Sequence, residues 1–291
     1  NICDCMTKWY ENIARMCNVP LIMIDIPYNN TVEVHDSNVK YVRAQFDKAI
    51  KQLEELTGKK FDEKKFEKAC ENANHTAKAW LKVCDYLQYK PAPYSGFDLF
   101  NHMADVVTAR ARVEAAEAFE LLASDLEETI KKGETTTPFP EKYRVMFEGI
   151  PCWPKLPALF KPLKEHGVNV TAVVYAPAFG FVYNNMDEMA RAYYKAPNSV
   201  CIEQGVDWRE GICRDNKVDG VLVHYNRSCK PWSGYMQRCS AALQRISVFP
   251  LPALTATRMT RVTSTPPSTR PAFRVWSRLW PRTRIRRRAK P

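Results

Sequence analysis

The sequence predicts an α/β protein built around a parallel sheet. Three observations carry this reading: short runs that are apolar almost throughout, helix-period segments between them, and Gly or Pro at most of the joins. A run without polar alternation suits a strand covered on both faces. Strands that alternate with helices return by crossovers, which makes neighbouring strands parallel.

VPLIMIDIPY (residues 19–28) is the first such run and is expected as a buried strand. In the following NVKYVRAQFDKAIKQLEELTG, Val39, Val42, Phe46, Ile50, Leu53 and Leu56 recur at spacings of three and four. That spacing draws one apolar stripe along a helix, and Gly58 suits its carboxyl-terminal stop. A second helix is expected over residues 63–87, where PAPYSG breaks the pattern. A third helical region is strongest over RVEAAEAFELLASDLEETIKK and ends at Gly133. GETTTPFPEK reads as a linker. Beyond it come a strand (YRVMFEGIP), a helix (LPALFKPLKEHG), a strand (VNVTAVVYAP), two helices (MDEMARAYYKA and SVCIEQGVDWREGICRD) and a strand (VDGVLVHYN). No internal repeat is visible.

The net charge of +11 is unevenly placed. From Met236 to Pro291 there are 12 Arg and 1 Lys with no Asp or Glu, so the other 235 residues carry −2. Basicity is therefore a property of the tail, and a nucleic-acid argument would rest on the tail alone. No apolar run reaches the ~20 residues of a membrane span. No signal peptide opens the chain, which starts abruptly at Asn1, and an upstream portion is expected.

The ten cysteines are spread too thinly for a small disulfide scaffold, which points to a reducing cytosol. On that reading the N-x-S/T matches at Asn29, Asn74, Asn169 and Asn226 are chance occurrences. No C-x-x-C pair suggests zinc, whereas an iron–sulfur cluster accepts cysteines distant in sequence. Cys17, Cys70, Cys84, Cys201 and Cys213 fall in predicted helices and are expected in the core; Cys152 is expected as packing. Cys229 lies just beyond the VDGVLVHYN strand, where open α/β sheets bind ligands.

Longer motifs add a resemblance. NICDCMTKWYENIAR, SGFDLFNHMA, EKYRVMFEGIPCWP, YAPAFGF, KAPNSVCIEQGVDWREG and VDGVLVHYNRSCKPWSGYM resemble alpha subunits of the 2-hydroxyacyl-CoA dehydratases, a family that includes the benzoyl-CoA reductases. The resemblance runs from Asn1 to about Met236. It implies two flavodoxin-like parallel-sheet domains with helical additions, and a 4Fe-4S cluster held between them by three cysteines. Cys3 falls in the family's first cysteine pattern, with Asp4, Lys8, Tyr10 and Glu11. Cys229 falls in its R-S-C-K pattern, with Arg227, Ser228 and Lys230. Both are therefore expected as metal ligands. The third cysteine lies upstream in relatives and has no counterpart here; Cys5 is a weaker neighbour. Arg227, Lys230 and His224 are the substrate-side candidates; a hydrogen-bonded core histidine is the ordinary alternative for His224. The domains expected are 1–135, the rest of a first α/β domain with a helical region; 136–236, a second α/β domain; and 237–291, the tail.

The implied activity is reversible, syn-type removal of water from a 2-hydroxyacyl-CoA, a hydro-lyase reaction. (R)-2-hydroxyglutaryl-CoA is favoured, giving glutaconyl-CoA in glutamate fermentation. Lactyl, phenyllactyl and hydroxyisocaproyl thioesters are alternatives. The beta proton is not acidic and the alpha hydroxide is a poor leaving group. One added electron converts the thioester carbonyl to a ketyl radical, which expels hydroxide and acidifies the beta proton. An iron without a thiolate would bind the thioester oxygen. The implied partners are a beta subunit, an ATP-dependent iron–sulfur activator and the acyl-CoA, in an anaerobic cytosol, with no nucleic acid and no membrane. Bound flavin, FMN or riboflavin, is left open, as is the identity of the base.

The tail departs from this family. Relatives continue after SGYM with an acidic, Gly-containing segment, whereas residues 237–291 have seven Pro and no Gly. Codons permitted by residues 254–270, read from the third base of the first, spell DGDQDDPRNFNAAQYE. The segment is therefore expected to be out of frame, through a base lost or gained near the codons for Met236–Ala241, and poorly folded. The alternative of another class, nucleic-acid binding through the arginines, predicts salt-sensitive binding that disappears on deletion beyond Met236.

Overall fold

The computed structural model describes residues 4–226, 229, 232–234, 236, 238–239 and 253–256. Helix α1 (Asp4–Cys17) leads into an extended segment, and the strand expected over residues 19–28 does not form. No strand among the described residues lies beside it. The Asp25 N–H donates to Gln45 Oε1 (2.7 Å), and Gln45 Nε2 donates to the Asp25 carbonyl (2.9 Å). A side-chain amide thus serves backbone groups that a ladder would otherwise pair.

Helix α2 (Asp36–Thr57) ends as expected at Gly58, at φ 67°. Its Val39, Val42 and Phe46 pack with Met186, Ala190 and Tyr194, but Leu53 and Leu56 on the same stripe are exposed. The stripe is longer than the surface it covers. Helix α3 (Glu63–Asp85) starts on Asp62, whose side chain accepts from the Lys65 N–H, and continues as a short 3-10 turn. Helix α4 (Gly96–Thr108) begins with a capping box of Ser95 and Asp98. Helix α5 (Val113–Lys131) ends before Gly133, at φ 68°.

The sheet starts with β1 (Tyr143–Glu148). Helix α6 (Leu156–Glu165), β2 (Val168–Val173), helices α7 (Met186–Tyr193) and α8 (Ile202–Asp215), then β3 (Gly220–Asn226) follow. A fourth strand, β4 (Ala253–Ala256), lies inside the segment expected to be poorly folded. All pairings are parallel, in the order β2-β1-β3-β4. The resemblance implied two sheet domains; the described residues contain one sheet.

Its two faces are covered differently. Val145 and Phe147 of β1, Val168 and Val170 of β2 and Leu222 of β3 pack under α3, α4, α5 and α6. Met146, Ala172, Val221 and Val223 face α8 and the chain after β3. Pairing of Val145 with Val170 and of Met146 with Ala172 leaves Thr171 as an extra residue. This bulge reverses the alternation of β2, so that Ala172 and Val173 reach the faces that their partners reach. At the amino edge, buried Arg144 pairs with Glu141 at 2.6 Å and donates to the carbonyls of Leu87, Tyr89 and Asn216. That network serves the fold, and leaves the carboxyl edge for ligands. Among the described residues no helix is long and apolar enough to cross a membrane.

Candidate functional site

The strand order fixes where a ligand would enter. The chain leaves β1 for β2 on one side, then crosses back to β3 on the other. That reversal puts the topological switch point between the carboxyl ends of β1 and β3, the position at which doubly wound sheets bind ligands. The two ends come very close there. Gly149 has φ 126°, and a Cβ on it would stand 2.4 Å from the His224 carbonyl oxygen. Only glycine fits without moving a strand.

Cys229 is buried beyond β3, with Met146, Ile150, Val223, Trp232 and Met236 around it. Its carbonyl accepts from the Ser233 N–H at 2.9 Å, closing a helical turn. Three residues along that turn, Trp232 joins the same apolar cluster. Its ring meets Tyr175 edge-on at 6.0 Å, and Tyr175 meets Trp153 at 6.3 Å. One aromatic from beyond each of β1, β2 and β3 thus lies at this edge.

Behind Trp232 stands an ion pair that the sequence did not reveal. Arg209 Nε and Nη2 donate to Glu148 Oε2 (2.8 Å) and Oε1 (3.2 Å), with both side chains sealed from solvent. Arg209 also donates to the Gly205 carbonyl and lies 5.9 Å from the centre of the Trp232 ring. Burial pushes the Glu148 carboxyl above its usual range, and the guanidinium pulls against that. Nearby Cys213, 3.7 Å from the Met146 sulfur, is pushed up to about 12 by burial and then by Glu148. Trp232 Nε1 is one of five buried side-chain polar atoms without a hydrogen-bond partner among the described residues, and the one N–H among them. An orphaned buried N–H costs about 1–3 kcal/mol.

The predicted site residues separate. Cys229 is past the end of β3, in the apolar cluster under α8. His224 leaves β3 on the opposite face, 6.0 Å from the Phe147 ring, with Nδ1 2.6 Å from the Ile150 carbonyl. A carbonyl cannot donate, so Nδ1 carries the proton and ties the loop after β1 to β3. Cys3, Arg227 and Lys230 lie outside the described residues. Of the cysteines expected in the core, Cys70, Cys84 and Cys201 are buried and Cys213 partly so, but Cys17 is exposed at the end of α1. Cys5 is exposed and Cys152 is half-buried. Asn29 and Asn169 are buried, and the Asn74 amide is tied to the Tyr183 backbone in both directions. Among the described residues no three Cys, His, Asp or Glu side chains form a metal-sized group.

The family model described as "2-hydroxyglutaryl-CoA dehydratase, D-component" matches residues 1–253. The chain belongs to that family. The match takes in both predicted cluster cysteines and Trp232, and extends beyond Met236. The chain is 77% identical over 236 residues to the alpha subunit of (R)-2-hydroxyglutaryl-CoA dehydratase of Acidaminococcus fermentans, covering 81% of this chain and 50% of that protein. It is 50% identical over 251 residues to the (R)-phenyllactyl-CoA dehydratase alpha subunit of Clostridium sporogenes, covering 86% of this chain and 62% of that one. Identity to the (R)-2-hydroxyisocaproyl-CoA dehydratase alpha subunit of Clostridioides difficile is 44% over 233 residues, covering 79% and 57%. The chain thus spans between half and under two thirds of the length of these relatives.

Proposed function

We propose that this chain is part of the alpha subunit of a 2-hydroxyacyl-CoA dehydratase whose substrate is (R)-2-hydroxyglutaryl-CoA. The observation that carries the acyl group is the fall in identity from 77% for the hydroxyglutaryl relative to 50% and 44% for the phenyllactyl and hydroxyisocaproyl relatives. The subunit works with a beta subunit and receives electrons from an ATP-dependent iron–sulfur activator.

Cys229 and Cys3 would hold a 4Fe-4S cluster. The donor chemistry around Cys229 fits: a buried thiol past the end of β3, in one apolar cluster with an indole N–H that has no partner among the described residues. When bound, the cluster supplies one-electron transfer and an iron with an open position. The chain's own contribution is exclusion of water. Buried Trp232 and half-buried Tyr175 cover the strand ends, Trp153 lies at their exposed rim, and Arg209 stands behind Trp232. A dry site of this kind suits a reactive intermediate that water would quench.

The test is anaerobic purification of the subunit with its beta partner, followed by assay against the hydroxyglutaryl, phenyllactyl, hydroxyisocaproyl and lactyl thioesters. Hydroxyglutaryl-CoA should lead by at least about tenfold in kcat/KM, or about 1.4 kcal/mol. A lead for any other thioester refutes the substrate. Cys229→Ser should lower iron and sulfide content, and an unchanged iron content refutes the ligand assignment.

A further inference from the structure

We infer that the indole N–H of Trp232 is a hydrogen-bond donor to sulfur of the iron–sulfur group that Cys229 ligates. The inference rests on the function proposed above and names a residue that tunes its site. Two other tryptophans use their N–H groups within the fold: Trp80 donates to the Ala176 carbonyl and Trp153 to that of Phe100, both at 3.0 Å. Trp232 is as deeply buried as Trp80, yet its Nε1 has no partner among the described residues. It is the one N–H among the five buried side-chain polar atoms in that state among the described residues, and a ligand acceptor would account for it.

Its place points to that ligand. The Cys229–Ser233 bond closes one helical turn, so Cys229 and Trp232 lie on one face and share one apolar cluster. The ring is also held still. Tyr175 meets it edge-on and Arg209, itself clamped by Glu148, stands 5.9 Å from its centre. A fixed N–H beside the thiolate and sulfide of a cluster withdraws electron density from sulfur and favours the reduced state. Trp232 is thus a positioning and tuning residue, not a catalytic one.

The experiment uses the anaerobic enzyme with its beta partner. Trp232→Phe keeps a ring against Tyr175 and removes the donor. It should retain iron and sulfide while the midpoint potential moves negative, and Trp232→His should restore part of the shift. The unaltered enzyme, labelled with 15N in its indoles and reduced, should show a nitrogen coupled to the cluster by electron–nuclear double resonance. That measurement stands even where a variant does not fold. Full iron with no coupled indole nitrogen overturns this inference alone, as does full iron in Trp232→Phe at an unmoved potential. Unaltered enzyme without iron and sulfide overturns the proposed function as well.

Discussion

Cysteine behaviour in this chain follows from where each thiol sits. Cys84 is sealed in the core, where burial raises its thiol well above the ordinary value. Cys213 is raised to about 12, by burial and then by the neighbouring Glu148. Thiolate is the nucleophile, so a thiol raised this far reacts far more slowly than an ordinary cysteine at mildly alkaline pH. Cys5 and Cys17 are exposed. Alkylation of native protein at about pH 8.5 should therefore modify Cys5 and Cys17 while Cys84 and Cys213 stay free, and all four should react after unfolding. Peptide mapping checks this; early modification of Cys213 would contradict its burial. The sequence assigned Cys17 to the core because it falls on a helical stretch, but the face of a helix that finds a partner is not a property of the helix alone.

Between elements, the clamp from β1 to α8 is the feature most open to test. Glu148 and Arg209 are both solvent-free, so neither charge has water to fall back on. Removing one partner of such a pair costs about 3–5 kcal/mol, whereas replacing both by apolar residues is often close to neutral. Arg209→Met should destabilise by that amount, and adding Glu148→Leu should recover most of it, read as denaturant midpoints. A double variant as unstable as the single one would show that the charge is not the issue. The contact between α4 and β2 offers a second case. A Cβ on Gly96 would stand 2.8 Å from Val170 Cγ1 and 2.9 Å from its carbonyl oxygen. Gly96→Ala should lower stability by about 1–3 kcal/mol through overpacking, and an unchanged thermal midpoint would show that α4 can shift.

At the scale of the whole molecule, charge divides the chain into a body of −2 and a tail of +13 from Met236 onward. We propose that the tail is read from a shifted frame. Resequencing the coding DNA should reveal one base lost or gained near the codons for Met236–Ala241; a single intact frame through Pro291 would end the idea. The β4 strand at residues 253–256 and the family match to residue 253 keep part of this segment within the fold.

Much of this architecture was legible early. The helices starting at Asp36, Glu63 and Val113, and all three strands between residues 143 and 226, form where apolar spacing and Gly stops predicted them. The position of Cys229 past β3 followed from the same reading, because each of these features depends on residues a few places apart. The run at residues 19–28 departs from its expected strand for the complementary reason. Apolarity makes a strand possible, but a strand also needs a neighbour, and the amide of Gln45 met Asp25 instead. Strand order, the bulge at Thr171, the pairing of Glu148 with an arginine 61 residues away and the Trp232 indole, without a partner among the described residues, all depend on which surfaces meet. Those meetings are set by packing over the entire chain, so only the folded molecule could decide them.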